Sequence, residues 1–149
     1  DMYDEALENA EKAIAILKEE SDQNSEELCL AYNNAGTVLH SKGHHDDALE
    51  YYEAAVKGQL ELSGETKDSG QYYSNLGLVY ADKGKYDQAI SYYRKAIGVY
   101  EKYDVLKNSP FAATVFNNIG MTYLAQANYE EALVEFKKAL NINLKLIGT

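Results

Sequence analysis

Residues 73–96 read YSNLGLVYADKGKYDQAISYYRKA, and this stretch decides the fold. Its small and apolar residues recur at three- and four-residue steps: Tyr73, Leu76, Gly77 and Tyr80 before Gly84, then Ala89, Tyr93 and Ala96 after it. Such a period is one face of an α-helix rather than the alternation of a strand, so the stretch predicts two amphipathic helices joined by a turn. The pattern recurs on both sides. Tyr32-Asn-Asn-Ala-Gly36, Tyr73-Ser-Asn-Leu-Gly77 and Phe116-Asn-Asn-Ile-Gly120 place their glycines 41 and then 43 residues apart. The second halves keep step, as Ala48, Tyr52 and Ala55, then Ala89, Tyr93 and Ala96, then Ala132, Phe136 and Ala139. A partial copy, Tyr3-Asp4-Glu5-Ala6-Leu7, opens the chain with Ala6 standing 42 residues before Ala48.

Local signals sharpen this reading. Gly43, Gly84 and the Asn128 position mark the turns, because those residues tolerate a left-handed backbone. Asp46, Asp87 and Glu130 then put negative charge at the start of the second helix, where the dipole favours it. Ser109-Pro110 reads as an N-cap followed by proline at the first helical position. Gly36, Gly77 and Gly120 are expected to face Ala48, Ala89 and Ala132, drawing the two backbones close. Tyr80, Tyr123, Tyr93 and Phe136 would be the bulk that one unit lends to the next. The expected architecture is all-α, a right-handed superhelical solenoid of antiparallel helix pairs. Its units are a lone second helix within residues 1–22, then repeats at 23–64, 65–106 and 107–149, forming one array.

These residues resemble the tetratricopeptide repeat, whose pattern runs W-x₂-L-G-x₂-Y, then A-x₃-F, then a further alanine. Tyr73, Leu76, Gly77, Tyr80, Ala89, Tyr93 and Ala96 match it in the middle unit. Phe116, Ile119, Gly120, Tyr123, Ala132, Phe136 and Ala139 match it in the last. The first unit departs from it, with Ala35 and Leu39 where the pattern has a large apolar residue and tyrosine. The period exceeds the 34 residues usual for the family, which implies helices longer by about two turns. This long form, with paired asparagines and second helices ending near Leu62-Ser-Gly64 and Leu146-Ile-Gly148, is similar to the repeats of kinesin light chains and related prokaryotic proteins.

Composition narrows the class of function. Of the formal charge of −10, residues 1–65 carry 16 acidic and 4 basic side chains, whereas the remainder carries 8 and 10. Nucleic acid is excluded as a partner because phosphate binding needs a basic face. A basic partner segment would be steered to the N-terminal half, although a solvated helix surface explains the same charges. The single Cys29 cannot form an internal disulfide and fits a reducing, cytoplasmic setting. No apolar run approaches the roughly 20 residues that span a bilayer, so no membrane role is expected. The absence of an initiator methionine suggests a piece of a longer protein.

The candidate site lies on the first helices, which line the inner surface of such arrays. Asparagine is a poor helix former, yet Asn34, Asn75 and Asn118 stand two positions before the three glycines, with Asn33, Ser74 and Asn117 beside them. A carboxamide donates and accepts, so a row of them can hold the backbone of an extended peptide without reading its sequence. The resemblance implies the same use for Asn34, Asn75 and Asn118. The alternative is that these amides bridge neighbouring helices and touch no ligand. One turn away, Gln71 and Thr114 on one side and Thr37, Leu78 and Met121 on the other are the candidate pocket residues. No lysine or arginine occupies the aligned positions, which disfavours a C-terminal carboxylate as ligand.

Catalysis has no candidate constellation: no phosphate-cradling glycine loop, no nucleophile elbow, and no histidine placed to partner Cys29. His40, His44 and His45 with Asp46 and Asp47 lack a rigid four-ligand spacing, so neither metal nor cofactor is expected. The reading is a non-enzymatic scaffold that binds an extended peptide of a partner protein, about ten residues or fewer by strand rise. Two others stand beside it: a self-association module pairing through the array ends, and a peptide-sensing regulatory domain of a larger protein.

Overall fold

The structure, a computed structural model, describes residues 1–20 and 24–148. Among the described residues there are seven α-helices and no strand: α1 (Met2–Glu20), α2 (Glu26–Ser41), α3 (His45–Ser63), α4 (Ser69–Asp82), α5 (Tyr86–Lys102), α6 (Pro110–Ala125) and α7 (Tyr129–Gly148). One 3₁₀ turn, Leu106–Asn108, precedes α6. The chain divides into two compact units, Asp1–Thr66 and Lys67–Thr149. The expected boundary between residues 22 and 23 lies outside the described residues.

In the first unit α1 packs on the α2–α3 pair around Ile14, Leu28, Ala31 and Ala35, with Leu7, Leu17, Tyr32 and Tyr51 closing the edge. The second unit pairs α4 with α5 and α6 with α7, and buries Leu76, Val79, Val99, Val115 and Ile119 almost completely. Each such side chain contributes roughly 1.5–3 kcal/mol by leaving water.

The packing glycines face rings of their own helix pair, which corrects the expectation that Tyr93 and Phe136 are bulk lent to the next unit. A Cβ on Gly36 would lie 2.7 Å from the Tyr52 ring, and one on Gly77 would lie 2.6 Å from Tyr93. At Gly120 the ring is that of Phe136, also at 2.6 Å. Tyr52, Tyr93 and Phe136 therefore fill their own helix pair, because a helix without a Cβ at that point offers a slot one ring deep. Alanine plays a secondary part: the Ala89 carbonyl oxygen would come within 3.1 Å of a Cβ on Gly77.

The turns share one hydrogen-bond scheme. Gly43 N–H donates to the His40 carbonyl and His44 N–H to that of Leu39, both at 2.9 Å; Gly84 and Lys85 do the same to Ala81 and Tyr80. The third turn differs from the sequence expectation by one residue. Ala127, with φ 59°, takes the left-handed position, while Asn128 supplies the second donor, to Tyr123 at 2.8 Å. The motif is counted from the helix end, so position outweighs the intrinsic tolerance of asparagine. α5 closes identically at Asp104, φ 52°. α6 opens as its sequence predicts, with Ser109 Oγ accepting from Ala112 N–H at 3.3 Å and proline in the first turn.

Candidate peptide-binding face

Within the second unit α4 and α6 are neighbours, and between them opens a pocket of about 230 Å³. Leu78, Ala81 and Asp82 come from α4, Tyr86 and Tyr93 from α5, and Asn118, Met121, Thr122 and Ala125 from α6. The pocket thus brings together Leu78, Asn118 and Met121 of the predicted residues. Met121 is 60% exposed at the opening, whereas Tyr93 is buried and forms the floor. Burial, and secondarily the charge of Asp82, push the Tyr93 hydroxyl well above its ordinary 10.0. It stays neutral at physiological pH, so Asp82 is the one formal charge lining the pocket.

The remaining predicted residues spread along the same helices. Asn75 and Ser74 are half-buried, with Asn75 one turn before Leu78 on α4. Gln71, Thr114 and Asn117 are exposed at or before the asparagine positions. Thr114 turns its hydroxyl back onto the Pro110 carbonyl at 3.1 Å. In the first unit Asn34 and Thr37 are exposed on α2, but the Thr37 hydroxyl is already engaged. It donates to the Asn33 carbonyl at 3.0 Å and accepts from the Tyr52 hydroxyl at 3.2 Å. Asn33 is a correction: it is 5% exposed, a core residue of its unit rather than a surface contact. A helix advances about 100° per residue, so adjacent asparagines cannot share a face, and here the first of the pair turns inward.

Tyr86 and Thr122 were missed. Tyr86 is the first residue of α5, and the short turn after α4 brings it back beside Asp82; only the turn geometry could have signalled this. Thr122 is buried and donates to the Asn118 carbonyl at 2.8 Å, which anchors the backbone at that asparagine. The His40 and His45 rings lie 5.5 Å apart within the first unit. No described helix is long and apolar enough to cross a membrane.

No curated protein matches the sequence. Among solved structures, BtubC (BKLC) from P. vanneervenii superposes with a TM-score of 0.79 at 20% identity, over 99% of this chain and 59% of that one. MamA follows with 0.72 at 25% identity, over 100% of this chain and 73% of that one. A Podosopora anserina putative kinesin light chain with nearly identical TPR-like repeats gives 0.77 at 18%, over 99% and 69%. These likenesses establish the fold, and this chain spans little more than half the length of BtubC. The family model for the tetratricopeptide repeat matches residues 1–61 and 64–145, and the chain belongs to the tetratricopeptide repeat family.

Proposed function

We propose that the chain is a non-enzymatic scaffold whose first helices hold an extended segment of a partner protein. Tetratricopeptide folds generally mediate protein–protein interaction, and the finer reading rests on one observation. A half-buried carboxamide, Asn118, shares a pocket with two apolar side chains, Leu78 and Met121, and with the Asp82 carboxylate. That set supplies what a peptide needs: a donor and acceptor for its backbone, an apolar recess for one side chain, and a negative charge for a basic neighbour. Asn75 extends the amides one turn along α4, and Asn34 holds the equivalent register on α2.

Magnitudes assign the roles. Each net amide hydrogen bond contributes about 0.5–1.5 kcal/mol, so even three rungs fall short of the roughly −8 kcal/mol of a micromolar complex. One apolar side chain buried in the recess adds roughly 1.5–3 kcal/mol. The asparagines therefore align the chain, and the Leu78–Met121 recess selects it.

The test pairs binding with stability. Partners captured by the wild-type chain are identified by mass spectrometry and their segments titrated calorimetrically against Asn75→Ala and Asn118→Ala. Affinity should fall about tenfold for each, with little change in melting temperature. Full affinity alongside a lowered melting temperature would assign the amides to helix bridging instead.

Self-association is supported separately by the exposed apolar residues Leu140, Leu144 and Ile147 on α7, the last 84% exposed. Light scattering decides it: a mass independent of concentration removes this second reading.

A further inference from the structure

The second unit holds another cleft, of about 310 Å³, that shares no lining residue with the first. Its floor is apolar: Ile97, Phe116 and Ile142 are nearly buried, and Leu106 of the 3₁₀ turn closes one side. Its rim is cationic, in the part of the chain where basic side chains outnumber acidic ones. Arg94, Lys107, Lys138 and Lys145 line it, against the single carboxylate of Glu101.

These cations are not equivalent. Arg94 is held by Glu135, with bonds at 2.6 and 3.3 Å, and so fixes one wall. Lys138 reaches the same carboxylate at 3.1 Å and also lies over the Phe116 ring, 5.5 Å from its centroid. Lys107 and Lys145 bring charge from two further directions, both on exposed side chains. The local balance is positive. At physiological salt the screening length is about 8 Å, so a ligand in the cleft responds first to the charges that line it.

We propose that this cleft docks an acidic peptide segment of a partner protein, with one aromatic or large aliphatic side chain on the Ile97–Phe116–Ile142 floor and flanking carboxylates on Lys107, Lys138 and Lys145. The spacing of the lysines selects a peptide over a small carboxylic acid. Lys138 and Lys145 are seven residues apart on α7, about 10 Å along the helix, more than one carboxylate spans. An extended chain rises about 3.3 Å per residue, so acidic residues about three apart meet both, with two residues between them, one of which is the apolar anchor. The site would let the scaffold take two partners at once, one basic and one acidic.

The probe is a fluorescein-labelled peptide with a phenylalanine flanked by three glutamates on each side, followed by anisotropy and by amide NMR of the labelled protein. Binding should weaken with added salt, and shift changes should centre on Lys107, Phe116 and Asn141. The double variant Lys107→Glu, Lys145→Glu changes exposed side chains only and should lower affinity about tenfold at an unaltered melting temperature. Asn75→Ala should leave this affinity unchanged, which separates the outcome from that of the amide face. Serine in place of the phenylalanine should abolish binding. The proposal is overturned by no binding at millimolar peptide, by equal binding of a lysine-flanked peptide, by shift changes elsewhere, or by 3-phenylpropionate displacing the peptide at matching affinity, which would mark a small-carboxylate site.

Discussion

Seven residues before the packing glycine, the first unit carries Cys29 on α2 and the second carries Gly70 on α4. In the first unit the thiol occupies the space above Gly58 of α3, where a Cβ would lie 2.8 Å from Sγ. In the second the roles reverse: the glycine is on the first helix, and the Tyr100 ring of α5 comes within 2.6 Å of where its Cβ would be. Charges differ as much between second helices. Five residues after Ala6 stands Glu11, which accepts a hydrogen bond from Tyr51 of α3; five after Ala89 stands Arg94, which grips Glu135 of α7. The repeat determines which positions meet, and each unit chooses its own chemistry there.

Removing the gripping residue on each side breaks the comparison most sharply. Glu135 is 3% exposed, so Arg94→Ala strands a buried carboxylate with Lys138 alone; urea denaturation should register a loss of about 2–3 kcal/mol, less than a fully buried pair because Arg94 is partly in water. Glu11 is exposed, and Glu11→Ala should cost about 1 kcal/mol at most. Equal losses would mean that the two joints are interchangeable.

A smaller effect appears in alkali. Burial pushes the Tyr100 hydroxyl up to about 12 from 10.0. Its neutral form is retained longer in the folded chain, so its share of stability is complete below pH 10 and lost as pH rises through about 12. At pH 11 that share has fallen by about 1 kcal/mol. Tyr52 and Tyr93, which burial also raises, stay in place, so Tyr100→Phe should make the fall in melting temperature between pH 10 and 12 shallower without removing it. An unchanged slope would place the titration elsewhere. The smallest effect is local. Ala127 sits at φ 59° where Gly43 and Gly84 stand in the other turns, and Ala127→Gly should stabilise by about 0.5–1 kcal/mol in thermal unfolding.

What was legible in the sequence follows from range. Helix identity depends on apolar steps of three and four residues, and the cap on Ser109 depends on neighbours three residues away, so both could be read directly. The candidate pocket was partly legible: Leu78, Asn118 and Met121 share a register that the repeat itself supplies. Tyr86 joined them only through the turn, and the inward rotation of Asn33 required knowing where the apolar stripe of α2 falls. Arg94 and Glu135 are 41 residues apart, and no local rule pairs them. The rings seated on the glycines were misassigned because composition gives a small residue's size but not which larger one uses the space.

The stretch between α5 and α6 has a practical use. α5 is already terminated by its own backbone, with Val105 N–H donating to the Tyr100 carbonyl at 3.0 Å, and α6 is started by its own serine. Within the connection only Asp104, Val105 and Ser109 serve to end or begin a helix, and Asn108 is not among them. A reporter sequence or a whole guest domain spliced in at the exposed Asn108 would therefore leave both hosts wound, at an entropic penalty that grows by only about 0.6 kcal/mol with each doubling of the loop.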